Sequence, residues 1–503
     1  MRLSDLLTGA DVLYSSAELS LEIPSVVSRA DRAVGGSLFV ARRGAKYDAT
    51  ADIPLAVSRG ASAVVIDKTA VMPDGVPTVV VGDIRHAEAV IYANFYAVTA
   101  GNPRIIAVTG TNGKTSVCGL LRAIGTECSV TVGIIGTRGA FVGDRMIYAP
   151  CENAPSTTPS ADVLYGLLAS MRHSGADAVF MEASSQALAE NRLDGIRASV
   201  GVFTNLSRDH LDYHKTMEDY LASKMRLFGL SDVCLTNADD PCFGEIAGMM
   251  NGRELLSFSC TSSSYANAEY RACDIEDRRE DGLSYRLLYP FGEVAVTTRM
   301  IGQFALYNTA AAMSAAIAFG FDPEKAASAI GKYSGTCGRM EKIIGQETCG
   351  FSVFIDYAHT PDALAGAITS LRQITDGRLA VLFGCGGERD PGKRAMMGHI
   401  ASVLADTVII TDDNPRSEDP AAIRNAILSG ADGKAETVVI PGRRAAIEYA
   451  LSFAEDGDVI LLAGKGHEDY EITSDGKHPF SERDIVLSLI GRRISDRLKG
   501  NDK

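Results

Sequence analysis

No two of the ten cysteines in this 503-residue chain form a Cys-x-x-Cys pair. They are scattered at positions 118, 128, 151, 234, 242, 260, 273, 337, 349 and 385, without a zinc-like spacing. Basic charge is also scarce: 49 lysines and arginines face 63 acidic residues, a net charge of −14. That balance argues against non-specific binding to nucleic acid or an anionic membrane, while leaving room for a local basic pocket. Long apolar runs are missing too. The start, M-R-L-S-D-L-L-T-G-A, lacks the apolar core of a signal peptide. The most apolar helical stretch, 309–321, is alanine-rich and too short to span a bilayer. These absences predict a protein of the reduced cytoplasm with no membrane insertion. Hydrophobic content of 46% and charged content of 22% are those of an ordinary soluble globular chain. At roughly 150 residues per domain the length suggests about three domains.

The most informative segment reads V-T-G-T-N-G-K-T over 108–115, straight after the apolar run R-I-I-A-V at 104–108. A β-branched run, a Gly-x-x-Gly-Lys-Thr loop and the sequence from Ser116 read as strand, tight loop and helix. Such a loop aims backbone N–H groups and a helix N-terminus at one point, which suits a triphosphate. Lys114 would meet phosphate charge and the Thr115 hydroxyl a Mg²⁺ position. The first glycine of the general phosphate-loop pattern is replaced by Val108. Taken alone, the loop also reads as a plain βα turn with glycines for tight packing.

Three blocks follow from the patterning. Residues 1–101 read as a small α/β unit, with strands at 37–41, 63–66 and 77–81 and helices at 53–60 and about 85–97. Gly101-Asn102-Pro103 is a natural linker. Residues 102–337 carry the loop and short apolar runs ending in polar groups, the pattern of buried parallel strands with functional groups at their C-terminal ends. Segment 255–300, alternating and rich in Arg and Glu, reads as an antiparallel insertion. Residues 338–503 repeat a βαβ pattern, which predicts a Rossmann-like sheet and a frayed end at 499–503.

Polar clusters stand at the ends of these strands. M-E-A-S-S-Q at 181–186 and T-N-L-S-R-D-H-L-D-Y-H at 204–214 offer Glu182 and His210 to a hard cation. Read singly, Glu182 is equally a strand-end carboxylate, and His210 a capping or core residue. Tyr220, Lys224 and Phe228 share one helical face. In the last block, D-Y-A-H-T-P-D, G-C-G-G-E-R-D, D-D-N-P-R and G-K-G-H-E each follow a strand. Arg389, Asp413, Asn414, Arg416 and Glu468 could therefore line one pocket suited to a zwitterionic, amino-acid-like ligand. Any one of these turns could be turn chemistry alone.

Together these motifs resemble the Mur ligases, ATP-dependent amide-bond-forming enzymes of peptidoglycan precursor synthesis, in order and over nearly the whole chain. The likeness is to the branch that adds a diamino acid to UDP-N-acetylmuramoyl-L-alanyl-D-glutamate. It implies a UDP-binding first domain, a central ATPase and a C-terminal Rossmann-like domain. It also implies small-molecule substrates only and a monomer. By resemblance, Ser28 and Arg29 contact the uridine diphosphate part, and Thr157, Thr158, Ser184 and Arg192 hold the muramoyl peptide. Gly110, Thr111, Asn112, Gly113, Lys114 and Thr115 bind the triphosphate. Asn308 meets adenine, and Arg339 and Asp356 meet phosphate and ribose. Thr115, Glu182, His210 and Lys224, the last as a carbamate, bind Mg²⁺. Asp413-Asn414-Pro415-Arg416 matches the form associated with meso-diaminopimelate, with Arg416 clamping the distal carboxylate that lysine lacks. Arg389, Asn414, Gly464 and Glu468 grip the amino-acid end or ends.

The chain departs from the family at Gln186, where His is usual, at Ala305, where Asn is usual, at Val27 before Ser28-Arg29, and at Asp48-Ala49. Three competitors remain: a folylpolyglutamate synthetase, a lysine-adding ligase, and a nucleotide-dependent switch or scaffold without catalysis. The first is opposed by the N-terminal unit, the second by Arg416, and the third by Lys114, Glu182, His210 and Lys224 occurring together. Two substrates carried on different domains predict closure about Gly101 and Cys337.

Overall fold

The computed structural model describes residues 1–43, 47–98, 103–149, 156–261 and 268–500, with backbone only for 493–500. The linker and expected hinge at Gly101, Cys151 and the terminal 501–503 lie outside the described residues. The first sheet comprises Val12–Ser15, Val26–Val27, Leu38–Val40, Ala63–Asp67 and Thr78–Val81, in spatial order one, five, four, three, two. Only Val12–Ser15 runs antiparallel to its neighbour.

The second sheet has eleven strands centred on Arg104–Thr109. This strand is buried from Ile105 onward, because helices cover both faces. Ile106 and Val108 pack under Lys114–Glu127 and Gln303–Phe319. Ile105 and Ala107 face Ala161–His173 on the other side. Segment 255–300, expected as an antiparallel insertion, is paired antiparallel from Tyr270 onward but continues this same sheet rather than standing apart from it. Leu256–Ser259 lies parallel to Ser231–Asn237, and Tyr270–Asp277 parallel to Leu256–Ser259. Only Leu283–Tyr289 and Gly292–Thr298 then turn antiparallel. The alternating charge that suggested an insertion reflects one-sided burial: Leu283, Tyr285, Leu287, Val294 and Val296 face the core and their neighbours face outward.

The third sheet orders Glu341–Ile344, Ser352–Asp356, Val459–Ala463, Leu379–Phe383, Thr407–Ile410 and Glu436–Val439 side by side. All pairs are parallel except the antiparallel edge Glu341–Ile344, and helices cover both faces. The expected α/β class with mostly parallel sheets is the class observed. No helix among the described residues is long and apolar enough to cross a membrane.

Register decides where the loops emerge. Glu182 pairs with Val108, and Phe203 with Thr109, so three adjacent strands of the second sheet end level. In the third sheet Ala463 aligns with both Asp356 and Phe383, and Phe383 with Ile410. Each set of strand-end loops therefore converges on one crevice at the carboxyl edge of its sheet.

Candidate functional site: a phosphate loop facing an amino-acid cleft

The 110–113 turn is shaped by two glycines. Gly110 has φ +143° and Gly113 φ +88°, and a Cβ at Gly110 would collide with the Thr204 hydroxyl. The turn is held from the neighbouring strand end. Thr111 N donates to Asn205 O (2.9 Å), Asn112 N to Asn205 Oδ1 (2.9 Å), and Thr204 Oγ1 to Asn112 O (2.6 Å). Gly113 then caps the helix Lys114–Glu127. Lys114 Nζ arches back over the loop, donating to the carbonyls of Gly110 (2.8 Å) and Thr111 (2.9 Å). Burial lowers its pKa, and Glu182 opposes that shift.

Glu182 is 3% exposed, and no cation stands at ion-pair distance from it among the described residues. Its oxygens instead accept from Thr115 Oγ1 (2.9 Å), Thr137 N (3.0 Å) and Thr137 Oγ1 (3.1 Å). A buried carboxylate served by hydroxyls fits a hard divalent cation. His210 does not touch Glu182. It caps Leu211–His214 at φ 54° and stands 3.4 Å from Asp209, with its ring edge-on to Tyr220. Lys114 is coupled electrostatically to both: Glu182 supports its charge, and its charge disfavours protonation of His210. Displacement of water by the surrounding walls, with Lys114 and Lys224 nearby, lowers the His210 pKa to about 4 even though one face of the ring is open.

Lys224 is the unusual lysine. It is 1% exposed, stacks its ammonium 4.2 Å over the Tyr220 ring, and has no carboxylate at ion-pair distance among the described residues. Burial, reinforced by Lys114, pushes its pKa well below that of an ordinary lysine.

A second crevice opens between the central and third sheets. It brings Asn112, Gly113 and Asn308 together with Arg339 and Asp356, and Met300, Ile301, Phe304 and Phe354 supply apolar walls. Arg339 lies 4.5 Å over the Tyr357 ring, and its buried Nε has no hydrogen-bond partner among the described residues. Burial raises the Asp356 pKa, and Arg339 counters this. Ala305, one of the departures, is part of this wall.

The residues assigned to the muramoyl peptide form one network. Thr158 Oγ1 donates to Glu182 O (2.8 Å) and accepts from Ser184 N (3.0 Å). Arg192 donates to Thr158 O (2.7 Å) and pairs with Glu190 (2.7 Å). Thr137 Oγ1 reaches Thr157 Oγ1 (3.2 Å). Gln186 points away, toward Glu190 (3.3 Å), and is exposed. Ser28 sits in the first sheet's unit, donating to the buried Glu88 (2.6 Å) and meeting Tyr92 (3.0 Å). Arg29 is spent on Asp31 at the surface (2.7 Å).

A third cleft has a volume of about 620 Å³. Its floor carries Arg389, Asp413, Asn414, Arg416, Gly464 and Glu468, and the facing wall carries Thr137, Ser156, Thr157, Asp209 and His210. All four loaded turns of the third sheet therefore meet, and they meet the central domain. Gly464, at φ +110°, lets its backbone pass Asp413, whose carboxylate would stand 2.8 Å from a Cβ there. Burial and the neighbouring Arg389 guanidinium lower the Arg416 pKa, so two cations face each other across this floor.

Several site groups were not singled out in the sequence. Asp209 is buried between His210, His359 (3.7 Å) and Lys393. Burial opposes its ionisation, but the hydrogen bond from His359, with His210 and Lys393 nearby, outweighs that and holds the carboxyl well below its usual range. Arg208 reaches Asp390 across the same junction (3.5 Å). Thr137, the second ligand-like hydroxyl on Glu182, belongs to no motif. Lys465 lies inside one, but only its burial marks it out.

A glycine-rich loop and lysine at the end of one largely parallel sheet, with a cleft of carboxylates and guanidiniums at the strand ends of another, is the arrangement of an ATP-dependent amide-bond-forming ligase. Residues 108–316 match the family profile described as the Mur ligase middle domain, and residues 338–466 the Mur ligase glutamate ligase domain. A protein of Geobacter metallireducens named UDP-N-acetylmuramoyl-L-alanyl-D-glutamate–2,6-diaminopimelate ligase is 36% identical over 99% of this chain and 100% of its own length. A Clostridioides difficile protein of the same name is 36% identical, covering 98% and 100%. A solved structure with that name superposes at a TM-score of 0.71 and 30% identity, over 98% of this chain and 99% of the other. The chain belongs to the Mur ligase family.

Proposed function

We propose that this chain joins meso-diaminopimelate to UDP-N-acetylmuramoyl-L-alanyl-D-glutamate at the expense of ATP. It does so as a cytoplasmic monomer whose working units are residues 1–101, 102–337 and 338–503. The observation that carries this reading is the pair of guanidiniums, Arg389 and Arg416, set among Asp413, Asn414 and Glu468 on one cleft floor. A ligand with two carboxylates and two ammonium groups satisfies that set. Lysine would leave a guanidinium unpaired.

The 110–115 loop cradles the triphosphate, with Asn308 on adenine and Arg339 and Asp356 on phosphate and ribose. Ser28, Thr157, Thr158, Ser184 and Arg192 hold the nucleotide peptide so that its D-glutamyl carboxylate faces Lys114. A carboxylate oxygen attacks the terminal phosphorus, the bond to ADP breaks, and Lys114 neutralises charge on the transferring group. The substrate ammonium, held by Asp413 and Glu468, first gives a proton to solvent, and the neutral amine then attacks the acyl carbon. Phosphate leaves with the C–O electron pair, and the amine nitrogen gives up a proton. Thr115, Glu182, His210 and Lys224 are the residues that would hold Mg²⁺, which when bound offsets phosphate charge. The depressed basicity of Lys224 favours its neutral amine, which can add to CO₂ and lose a proton to become an anionic carbamate. That change would supply the negative charge its surroundings lack.

Phosphate release with ATP, the UDP-muramoyl dipeptide and either diaminopimelate or lysine tests the reading. Release should require both co-substrates and favour diaminopimelate. Equal rates with lysine overturn the substrate assignment, and release without either co-substrate overturns the ligase assignment.

A further inference from the structure

Beneath the amino-acid cleft lies a lysine that touches no part of the open surface. Lys465 is 0% exposed. Its Nζ donates to Asn414 Oδ1 (2.9 Å) and to Tyr470 O (2.9 Å), and stands 3.4 Å from Asp413 and 3.9 Å from Glu468. Asn414 Oδ1 accepts a second bond, from Ile472 N (3.0 Å). Two donors converging on one atom determine which end of the amide is oxygen. The NH₂ group is therefore turned the other way, and Nδ2 donates to Glu468 Oε2 (2.8 Å). One N–H of that group remains for a ligand.

We propose that Lys465 is a positioning residue for the amino-acid substrate. By pinning Asn414 Oδ1 and counter-charging Asp413 and Glu468, it makes the cleft present an N–H donor beside carboxylate acceptors. A free α-amino acid end needs that pairing: a donor for its carboxylate and acceptors for its ammonium. Without Lys465 the Asn414 amide loses one of the two donors on its oxygen and keeps the Ile472 N–H and its own bond to Glu468, and Asp413 and Glu468 lose the cation beside them. Asp413 and Glu468 would then repel each other, and the cleft would hold the amine in competing poses. Lys465 itself is fully buried and does not line the cleft, so it acts through Asn414, Asp413 and Glu468.

The proposal rests on the amino-acid reading of the cleft, so the experiment keeps the two apart. Wild-type protein is first assayed for diaminopimelate-dependent phosphate release. Absence of that dependence sinks the reading of the cleft and says so independently of any variant. Lys465→Met and Lys465→Gln are then compared at saturating ATP and nucleotide peptide. Lys465→Met removes both donor and charge, whereas Lys465→Gln keeps one N–H for Asn414 and remains informative if Lys465→Met fails to fold. The KM for diaminopimelate should rise about tenfold or more in Lys465→Met, the loss of one charge-assisted hydrogen bond, and less in Lys465→Gln. The KM for ATP should stay within about twofold of wild type in both, a split that a general loss of structure would not produce. A diaminopimelate KM within about twofold of wild type in a folded variant overturns the proposal. So does a parallel rise in the ATP KM.

Discussion

Replacing Arg416 by lysine tests the selectivity of the cleft. Arg416 Nη1 is steadied by Gly387 O (2.7 Å). Its backbone lies in the left-handed region at φ 55°, and Arg416 N donates to Ile472 O (3.1 Å) in the neighbouring hairpin. The side chain is thus held in place before any ligand arrives, and its planar fork can meet a carboxylate through two N–H groups at once. A lysine keeps the charge but offers one contact. Losing one charge-assisted hydrogen bond costs about 1.5–3 kcal/mol, or about 10- to 150-fold in kcat/KM for diaminopimelate. Lysine as a substrate gains nothing from the fork, so its kcat/KM should change by less than about threefold, and discrimination should fall by nearly the whole loss. Phosphate release at saturating ATP and nucleotide peptide, with each amine varied, measures both numbers. An unchanged ratio of the two would refute the clamp and place selectivity elsewhere on the floor.

Lys224→Met should abolish phosphate release while leaving the fold, read by circular dichroism, intact. Stripping CO₂ and bicarbonate from wild-type protein should lower activity reversibly, and indifference to CO₂ counts against the carbamate. Chelation of divalent cations should stop phosphate release without moving the melting temperature of ligand-free protein. The fully buried pair Arg443–Glu482 (2.8 Å) is expected to be costly to break: Glu482→Ala should destabilise by about 3–5 kcal/mol in urea unfolding. The exposed Arg444–Glu448 pair (3.8 Å) on the same helix should cost less than about 0.5 kcal/mol when Glu448 is removed, and similar losses at both sites would contradict the burial argument. Burial works against protonating His86, but Asp194 (2.8 Å) and Gly9 O (3.0 Å) prevail and raise its pKa. Its stabilising effect is then present in full below the unfolded-state pKa of about 6.5 and fades as pH rises through the higher folded value. His86→Gln should therefore lower the melting temperature at pH 6 and match wild type near pH 9; an equal loss at both pH values refutes the assignment.

Whatever depends on neighbours along the chain was legible in the residues. The run 104–109, the two glycines at 110 and 113 and the helix from Lys114 are local features, governed by period and backbone freedom. The strand-end clusters at 181–186, 204–214, 355–362, 383–390, 411–419 and 464–468 were equally visible. In segment 255–300 the antiparallel strands are legible in the alternation, but their place is not: alternation reports one-sided burial, and a sheet edge alternates as an insertion does. The gathering of Arg389, Asp413, Arg416 and Glu468 followed from strand order, since parallel strands must end on the same side.

The sequence by itself determined the class of sheet, the phosphate loop and the set of charged groups available to a ligand. Tertiary structure alone decided which of those groups are buried, which are paired and which way they point. Glu182 is held by the hydroxyls of Thr115 and Thr137, and Asp209 is held ionised by His359, 150 positions away. The orientation of Asn414 depends on an ammonium 51 positions later and on an N–H 58 positions later. Hydrogen bonds and desolvation act over a few ångströms in space, and distance along the chain carries no record of them.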